Sequence, residues 1–191
     1  MAPTRILVFA GSIRSGALSA KLAALAAKEL ALADAEVRHI SLADYPLPIY
    51  DGDHEAERGI PENATRLARL IAATQGVFIA TPEYNHSLAP LLKNAIDWVS
   101  RHRHTGSLPY RRRVYAVGST SDGPIGGARA LLDLRKVLLT AVGAIMLPDK
   151  IEISRAQDAF AESGELIDEG RAKLMKTLCQ NLVDFASRLT D

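Results

Sequence analysis

The stretch of residues 7–19 constrains the fold most strongly, because it joins an unbroken apolar run to a tight turn and a helical pattern. A continuous apolar run is typical of a strand buried on both faces. Gly11 permits a sharp turn, and Ser12, Arg14 and Ser19 then supply hydroxyl groups and one cation. A helix N-terminus beside a guanidinium favours phosphate binding. An ordinary strand–turn–helix connection with a capping serine is the alternative.

Strand patterns alternate with helical patterns along the chain. Apolar runs predict five strands, at residues 5–10, 37–40, 76–81, 114–118 and 144–147. Amphipathic spacing predicts helices between them and a last helix at about 166–189, whereas the polar segment 52–59 predicts an exposed loop. This alternation implies a parallel sheet with helices on both faces. We therefore predict a single α/β domain over residues 1–191, doubly wound, with a five-stranded sheet in the flavodoxin-like order 2-1-3-4-5.

The composition argues against several classes of protein. The chain has 23 basic and 22 acidic residues and a formal net charge of +1, so nothing indicates binding to nucleic acid or to an anionic membrane. Cys179 is the single cysteine and lies on an apolar helical pattern, which predicts a packed thiol rather than a nucleophile. We expect no signal peptide, no membrane insertion and a cytoplasmic location.

The predicted topology brings three loops to one edge of the sheet. Ligands of doubly wound sheets bind beyond the carboxyl ends of the strands. The loops that we expect there lie at residues 11–19, 82–87 and 118–127. The first suits a phosphate, the second carries a proline, a tyrosine and an asparagine, and the third is rich in serine and glycine. A ligand with a phosphate at one end and a flat ring at the other, such as FMN, would contact all three loops.

Three segments together resemble the NAD(P)H-dependent FMN reductase family. They are Gly11-Ser12-Ile13-Arg14, Pro82-Glu83-Tyr84-Asn85-His86-Ser87 and Lys93-Asn94-Ala95-Ile96-Asp97-Trp98. The resemblance covers nearly the whole chain and includes the segment 47–51 and the pair Gly126-Gly127. It implies a flavodoxin-like fold and the activity of reductases that act on quinones, chromate, azo dyes or free flavin.

The resemblance also assigns cofactor-binding residues. It implies that the FMN phosphate is held by Ser12, Arg14 and Ser19. It implies that the edge of the isoalloxazine ring is lined, largely through backbone groups, by Pro82, Glu83, Tyr84 and Asn85. Ser119 and its neighbours would cover the other side of the ring. Many relatives carry Ser-x-Asn where this chain has Ala17-Leu18-Ser19, so one phosphate contact differs.

The implied reaction passes a hydride from C4 of NAD(P)H to flavin N5, and the acceptor then takes the electrons at the same place. A shared site predicts ping-pong kinetics, and no catalytic protein residue and no metal ion are expected. Two alternatives stay open, which are a reductase that releases FMN as a product and a flavodoxin-type electron carrier. The family resemblance further implies a homodimer or homotetramer, with the predicted helix 88–100 as a candidate interface.

Several residues near these motifs have alternative interpretations. Tyr84 either neighbours the flavin or packs against the sheet. His86 either contacts the substrate or caps the following helix. Asp97 and Trp98 are predicted to be structural or interfacial, and His102 with His104 lacks the further ligands of a metal site. The arginines predicted as a surface turn, or as contacts for the NADPH 2′-phosphate, are Arg111, Arg112 and Arg113, with Arg101 and Arg103 as further candidates.

Overall fold

The computed structural model describes residues 2–105 and 108–189, apart from the side chains of His104 and Thr105. The described residues form six strands, which are β1 (Arg5–Ala10), β2 (Glu36–Ile40), β3 (Gly76–Tyr84), β4 (Ser87–Leu88), β5 (Val114–Thr120) and β6 (Ile145–Ile153). The α-helices are α1 (Leu18–Leu32), α2 (Gly52–Arg58), α3 (Glu62–Ala72), α4 (Pro90–Ser100), α5 (Ala128–Lys136) and α6 (Glu169–Arg188). Short 3-10 turns lie at Leu42–Asp44, Arg101–Thr105 and Ala156–Asp158, and a π-helical turn follows α5 at Val137–Ala141.

The sheet confirms the predicted α/β architecture and corrects its strand count. The strands run in the order β2-β1-β3-β5-β6, and every neighbouring pair in this row is parallel. The described residues contain a sixth strand, because β4 pairs antiparallel with the end of β3. The prediction of five strands in the order 2-1-3-4-5 was therefore wrong in its count, since the segment 82–87 forms a hairpin where a loop was expected.

Two apolar layers cover the sheet. Successive side chains of a strand point to opposite faces, so Ile6 and Val8 enter one core while Leu7 and Phe9 enter the other. The first core is closed by α1 and α6, and the second by α3, α4 and α5. All four of these β1 side chains are at most 5% exposed, which agrees with the unbroken apolar run in the sequence.

Two elements differ from the sequence prediction. Residues 52–58 form α2, a helix with no buried residue, whose N-terminus is capped by the Asp51 carboxylate at 2.9 Å from the Asp53 amide. β6 continues past Pro148, where the sequence predicted its end. The strand tolerates this proline because β6 lies at the sheet edge and its register against β5 shifts there. Of the helices described, none has both the length and the hydropathy to cross a membrane.

Candidate functional site

The three predicted loops meet at the carboxyl ends of β1, β3 and β5. The parallel register places Ala10, the last residue of β1, beside Ala80, and Ala80 beside Gly118, so the carboxyl ends of the three strands lie at the same end of the sheet. The Gly11 amide donates a hydrogen bond to the Ala80 carbonyl at 2.7 Å, which fixes the start of the first loop against β3. This arrangement is the switch point at which doubly wound sheets bind their ligands.

The first loop leads into a helix end that lacks a side-chain cap. α1 begins after Ala17, and no side chain of the described chain caps its N-terminus. Ser19 lies in the first turn of α1 and is 1% exposed, yet its Oγ has no hydrogen-bond partner among the described residues. Arg14 is exposed in the same loop. Uncapped amides and an unpartnered buried hydroxyl suit an anion, so these residues fit the phosphate of FMN.

The first loop contacts the second through two hydroxyl groups. Ser12 Oγ lies 3.5 Å from the hydroxyl of Tyr84, and the Arg14 amide donates to the same Ser12 oxygen at 3.3 Å. Tyr84 is 45% exposed, so its ring is not part of the core. This exposure argues against packing of Tyr84 on the sheet, and the contact of its ring with the flavin stays a prediction.

The second loop is a tight β-hairpin. β3 and β4 pair directly across Asn85 and His86, which have φ angles of 48° and 62°. A two-residue hairpin of type I′ requires positive φ at both central residues. Asparagine adopts this conformation more readily than most residues, so Asn85 stabilises the backbone conformation of the turn. Pro82 lies within β3, beside Thr120 of β5, rather than at the start of a loop as we expected.

Glu83 connects the hairpin to α5. One Glu83 carboxylate oxygen accepts hydrogen bonds from the backbone amides of Arg129 and Ala130, both at 3.1 Å. The N-cap residue of α5 is Gly127, which has no side chain to offer, so Glu83 supplies the missing cap from β3. His86 accepts from the Arg129 guanidinium at 3.0 Å and lies 3.5 Å from Glu83, so it does not act as the expected cap of α4.

The third loop folds back onto the end of β5. Ser119 is fully buried, and its hydroxyl donates to the Gly126 carbonyl at 2.6 Å. Gly127 has a φ of +84°, and a Cβ atom added there would lie 2.9 Å from Ser119 Cβ. Glycine is therefore required at this position by both conformation and space. The Ser119 hydroxyl shapes the loop, while its predicted contact with the ring stays a prediction.

The Lys-Asn-x-x-Asp-Trp segment holds a neighbouring loop in place. Asn94 accepts from the Tyr50 amide at 2.8 Å and donates to the Pro48 carbonyl at 2.9 Å. Trp98 is fully buried and donates to the same Pro48 carbonyl at 2.8 Å, and Asp97 pairs with Lys93 within α4. Trp98 therefore has a structural contact, whereas the Lys93 pair leaves both predicted roles of Asp97 open. The contacts of Asn94 and Trp98 with Pro48 explain why the segment 47–51 accompanies this motif.

The arginines considered for the NADPH 2′-phosphate lie elsewhere. Arg111, Arg112 and Arg113 precede β5, so they are at the amino ends of the strands, opposite the three loops. Arg113 donates to the Ile71 carbonyl at 3.2 Å, close to the end of α3. Arg101 forms an ion pair with Glu55 at 2.8 Å. The structure therefore gives Arg101 and Arg113 structural contacts, and it places Arg111, Arg112 and Arg113 away from the three loops.

His102 belongs to no metal centre in the part of the chain that the structure describes. Burial, and in second place the positive charge of Arg69, lower the pKa of His102. The side chain of His104 lies outside the described residues. Among the side chains described, no three histidine, cysteine or acidic groups are placed to hold one metal ion.

Comparison with known proteins agrees with this geometry. The sequence profile of the NADPH-dependent FMN reductases matches residues 4–158. The chain belongs to this family. As an FMN reductase family member, it is 35% identical over 168 residues to a quinone reductase of Escherichia coli, covering 87% of this chain and 86% of the relative. It is 34% identical over 186 residues to an NAD(P)H-dependent FMN reductase of Pseudomonas aeruginosa, covering 97% and 96%.

A solved structure supports the same assignment to the FMN reductase family. The flavoenzyme FerB of Paracoccus denitrificans, an NAD(P)H:(acceptor) oxidoreductase, superposes with a TM-score of 0.78 at 32% identity. The match covers 97% of this chain and 98% of FerB. The flavodoxin-like fold predicted from the alternating strands and helices is therefore confirmed.

Proposed function

We propose that this protein is an FMN-dependent NAD(P)H oxidoreductase that reduces small acceptors of the quinone class. The observation that carries the proposal is the buried hydroxyl of Ser19, which has no partner among the described residues. It lies at the start of α1, which has no side-chain cap there, in a chain of the FMN reductase family. Bound FMN would supply the redox chemistry, accepting a hydride from NAD(P)H and returning electrons to the acceptor. The polypeptide binds and orients the participants.

Each group of site residues has a distinct task in this proposal. Ser12, Arg14 and Ser19 bind the phosphate, with Arg14 supplying the charge and the first turn of α1 the amide donors. The segment Pro82–Asn85 and Ser119 border the ring, largely through their backbone. One oxygen of the Glu83 carboxylate accepts from two backbone amides of α5, and hydride transfer requires no general acid, so we assign Glu83 no proton-transfer role. Orientation is then the main contribution of the protein to catalysis.

A quinone is the proposed acceptor because the relatives include a quinone reductase of Escherichia coli and a 2-hydroxy-1,4-benzoquinone reductase of a Burkholderia species. Chromate, azo dyes and free flavin are further acceptors within the same proposal. We also propose a single domain over residues 1–191, a cytoplasmic location and a homodimer or homotetramer. The exposed apolar side chains of Leu132 and Leu139 would suit such an assembly.

Steady-state oxidation of NADH and NADPH by the purified protein, with FMN and a benzoquinone, tests the proposal. We expect turnover with quinone and parallel double-reciprocal lines, since both substrates would use one site. A flavodoxin-type carrier would bind FMN without turning over NAD(P)H. A reductase that releases FMN would turn over with free FMN alone and gain little from quinone. Absence of FMN binding would contradict the proposal itself.

A further inference from the structure

We propose that Glu83 is a positioning residue of the flavin site, holding the hairpin at residues 82–87 and the loop at residues 119–127 at a fixed separation. The inference rests on the proposed function, since it concerns how the FMN site is built. Glu83 is part of β3, whereas the amides that it accepts from, those of Arg129 and Ala130, belong to α5. Its side chain is only 8% exposed, so these contacts are largely shielded from water.

The first turn of α5 needs the Glu83 contact because its N-cap residue has no side chain. The first amides of a helix have no partner within the helix, and a Ser, Thr, Asp or Asn at the N-cap usually accepts from them. Here the N-cap is Gly127 in the left-handed conformation, and no side chain at that position can cap the helix. The Glu83 oxygen therefore satisfies two amides that would otherwise lack a protein partner in the first turn.

The same contact joins two walls of the site. Glu83 is followed by Tyr84 and the hairpin turn, while α5 is preceded by the Gly126–Gly127 turn, onto which Ser119 closes. A second link lies one strand further along, where the Ser87 hydroxyl donates to Asp133 of α5 at 2.6 Å. Loss of the Glu83 link would leave only the Ser87–Asp133 and His86–Arg129 contacts between the hairpin and α5, so the distance between the two ring-bordering loops would vary more. A site formed only part of the time binds its ligand more weakly.

Length and charge of the side chain can be separated by substitution. Glu83→Gln keeps the reach and one carbonyl oxygen but removes the charge. Glu83→Asp keeps the charge but is one methylene shorter, so one oxygen cannot reach both amides without movement of the backbone. A positioning role predicts that Gln preserves FMN affinity better than Asp, whereas a role that depends on charge predicts the opposite order.

The experiment measures the dissociation constant of FMN by absorbance titration for the wild type and three variants, with thermal unfolding in parallel. We expect Glu83→Gln within about two-fold of the wild type, and Glu83→Asp and Glu83→Ala weaker by about five-fold or more. Saturating FMN should restore most of kcat in Glu83→Asp. The matched control is Asp168→Ala, which removes the cap of α6, where Asp168 accepts from the Arg171 amide at 2.7 Å.

The control separates positioning from general stability. Asp168→Ala should lower the unfolding temperature by an amount similar to the Glu83 variants and leave FMN affinity unchanged. An Asp variant that binds FMN as well as the Gln variant or better would overturn the inference, and so would an equal loss of affinity in Asp168→Ala. If Glu83→Ala does not fold, the Gln and Asp variants still decide. Failure of the wild type to bind FMN would instead count against the proposed function.

Discussion

The hydroxyl groups of Ser12 and Tyr84 lie 3.5 Å apart, although 72 residues separate them in the sequence. This contact joins the loop that we assign to the phosphate with the hairpin that we assign to the ring. Both residues are held by the ends of adjacent parallel strands, β1 and β3. A ligand that spans the two loops would therefore find its two binding regions already adjacent, which reduces the ordering needed on binding.

The Arg14 guanidinium should supply the positive charge for the phosphate. Arg14→Ala is expected to weaken FMN binding about ten-fold or more, since a hydrogen bond to a charged group contributes roughly 1.5–3 kcal/mol. Arg38→Ala, which removes the same charge from an exposed position on β2, should change the affinity by less than about two-fold. Fluorescence titration with FMN measures both. Equal affinities for wild type and Arg14→Ala would place the phosphate elsewhere.

Substitution of Ser19 should affect FMN binding but not the stability of the FMN-free protein. Its buried hydroxyl has no partner among the described residues, so Ser19→Ala should leave the unfolding free energy of the FMN-free protein unchanged or slightly higher. FMN binding should weaken about five-fold, because one hydrogen bond to the phosphate is lost. Urea unfolding and FMN titration give the two quantities.

Thr74 provides the contrasting control for Ser19. Its buried hydroxyl donates to the Ile71 carbonyl at 3.0 Å. Thr74 precedes β3, so it lies at the amino ends of the strands, opposite the site. Thr74→Val should reduce stability by about 1 kcal/mol and leave FMN affinity unchanged. If Ser19→Ala reproduced the Thr74→Val pattern, Ser19 would be an ordinary structural residue.

The fold was largely predictable because its signals are local. Buried parallel strands are continuous apolar runs, and β1 has the predicted bounds of residues 5–10. α2 was missed because it buries no residue and so has no apolar stripe. The end of β6 was misplaced because Pro148 was taken to end the strand, although the predicted order already put this strand at the edge of the sheet, where a proline is tolerated.

The meeting of the three loops was predictable from the sequence, whereas the hydrogen-bond partners of their residues were not. The predicted topology places the three loops together at the carboxyl ends of the strands, and the Ser12–Tyr84 contact agrees with that placement. The capping role of Glu83 depends on the contact between β3 and α5, which no local pattern encodes. One sequence signal was available, since Gly127 stands where a helix of this pattern would normally begin with a capping side chain.

Asn85 should be tested as a turn residue. At a φ of 48° it occupies the left-handed region, which glycine tolerates and alanine does not. Asn85→Gly should preserve the unfolding free energy within about 0.5 kcal/mol, and Asn85→Ala should be less stable than the glycine variant by about 1 kcal/mol. Urea denaturation of the FMN-free proteins measures the difference. Glycine and alanine variants of equal stability would contradict the hairpin geometry.

Tyr115 should make the protein sensitive to alkali. Its hydroxyl is fully buried without a partner among the described residues, and burial raises its pKa. The unfolded chain releases this proton near pH 10 while the native state retains it, so stability falls as the pH rises above that value. Between pH 8 and 11, the wild type should lose about 1 kcal/mol more than Tyr115→Phe. Urea unfolding measures both proteins, and an equal loss of stability in the wild type and in Tyr115→Phe would refute the assignment of this pH dependence to Tyr115.

A crystal structure of the protein grown with saturating FMN tests the account most directly. The account predicts the phosphate at the start of α1, within hydrogen-bond distance of Ser19 Oγ and paired with Arg14, and the ring between the hairpin at 82–85 and the loop at 119–127. FMN bound at another face, or a phosphate that leaves the Ser19 hydroxyl unpartnered, would contradict it.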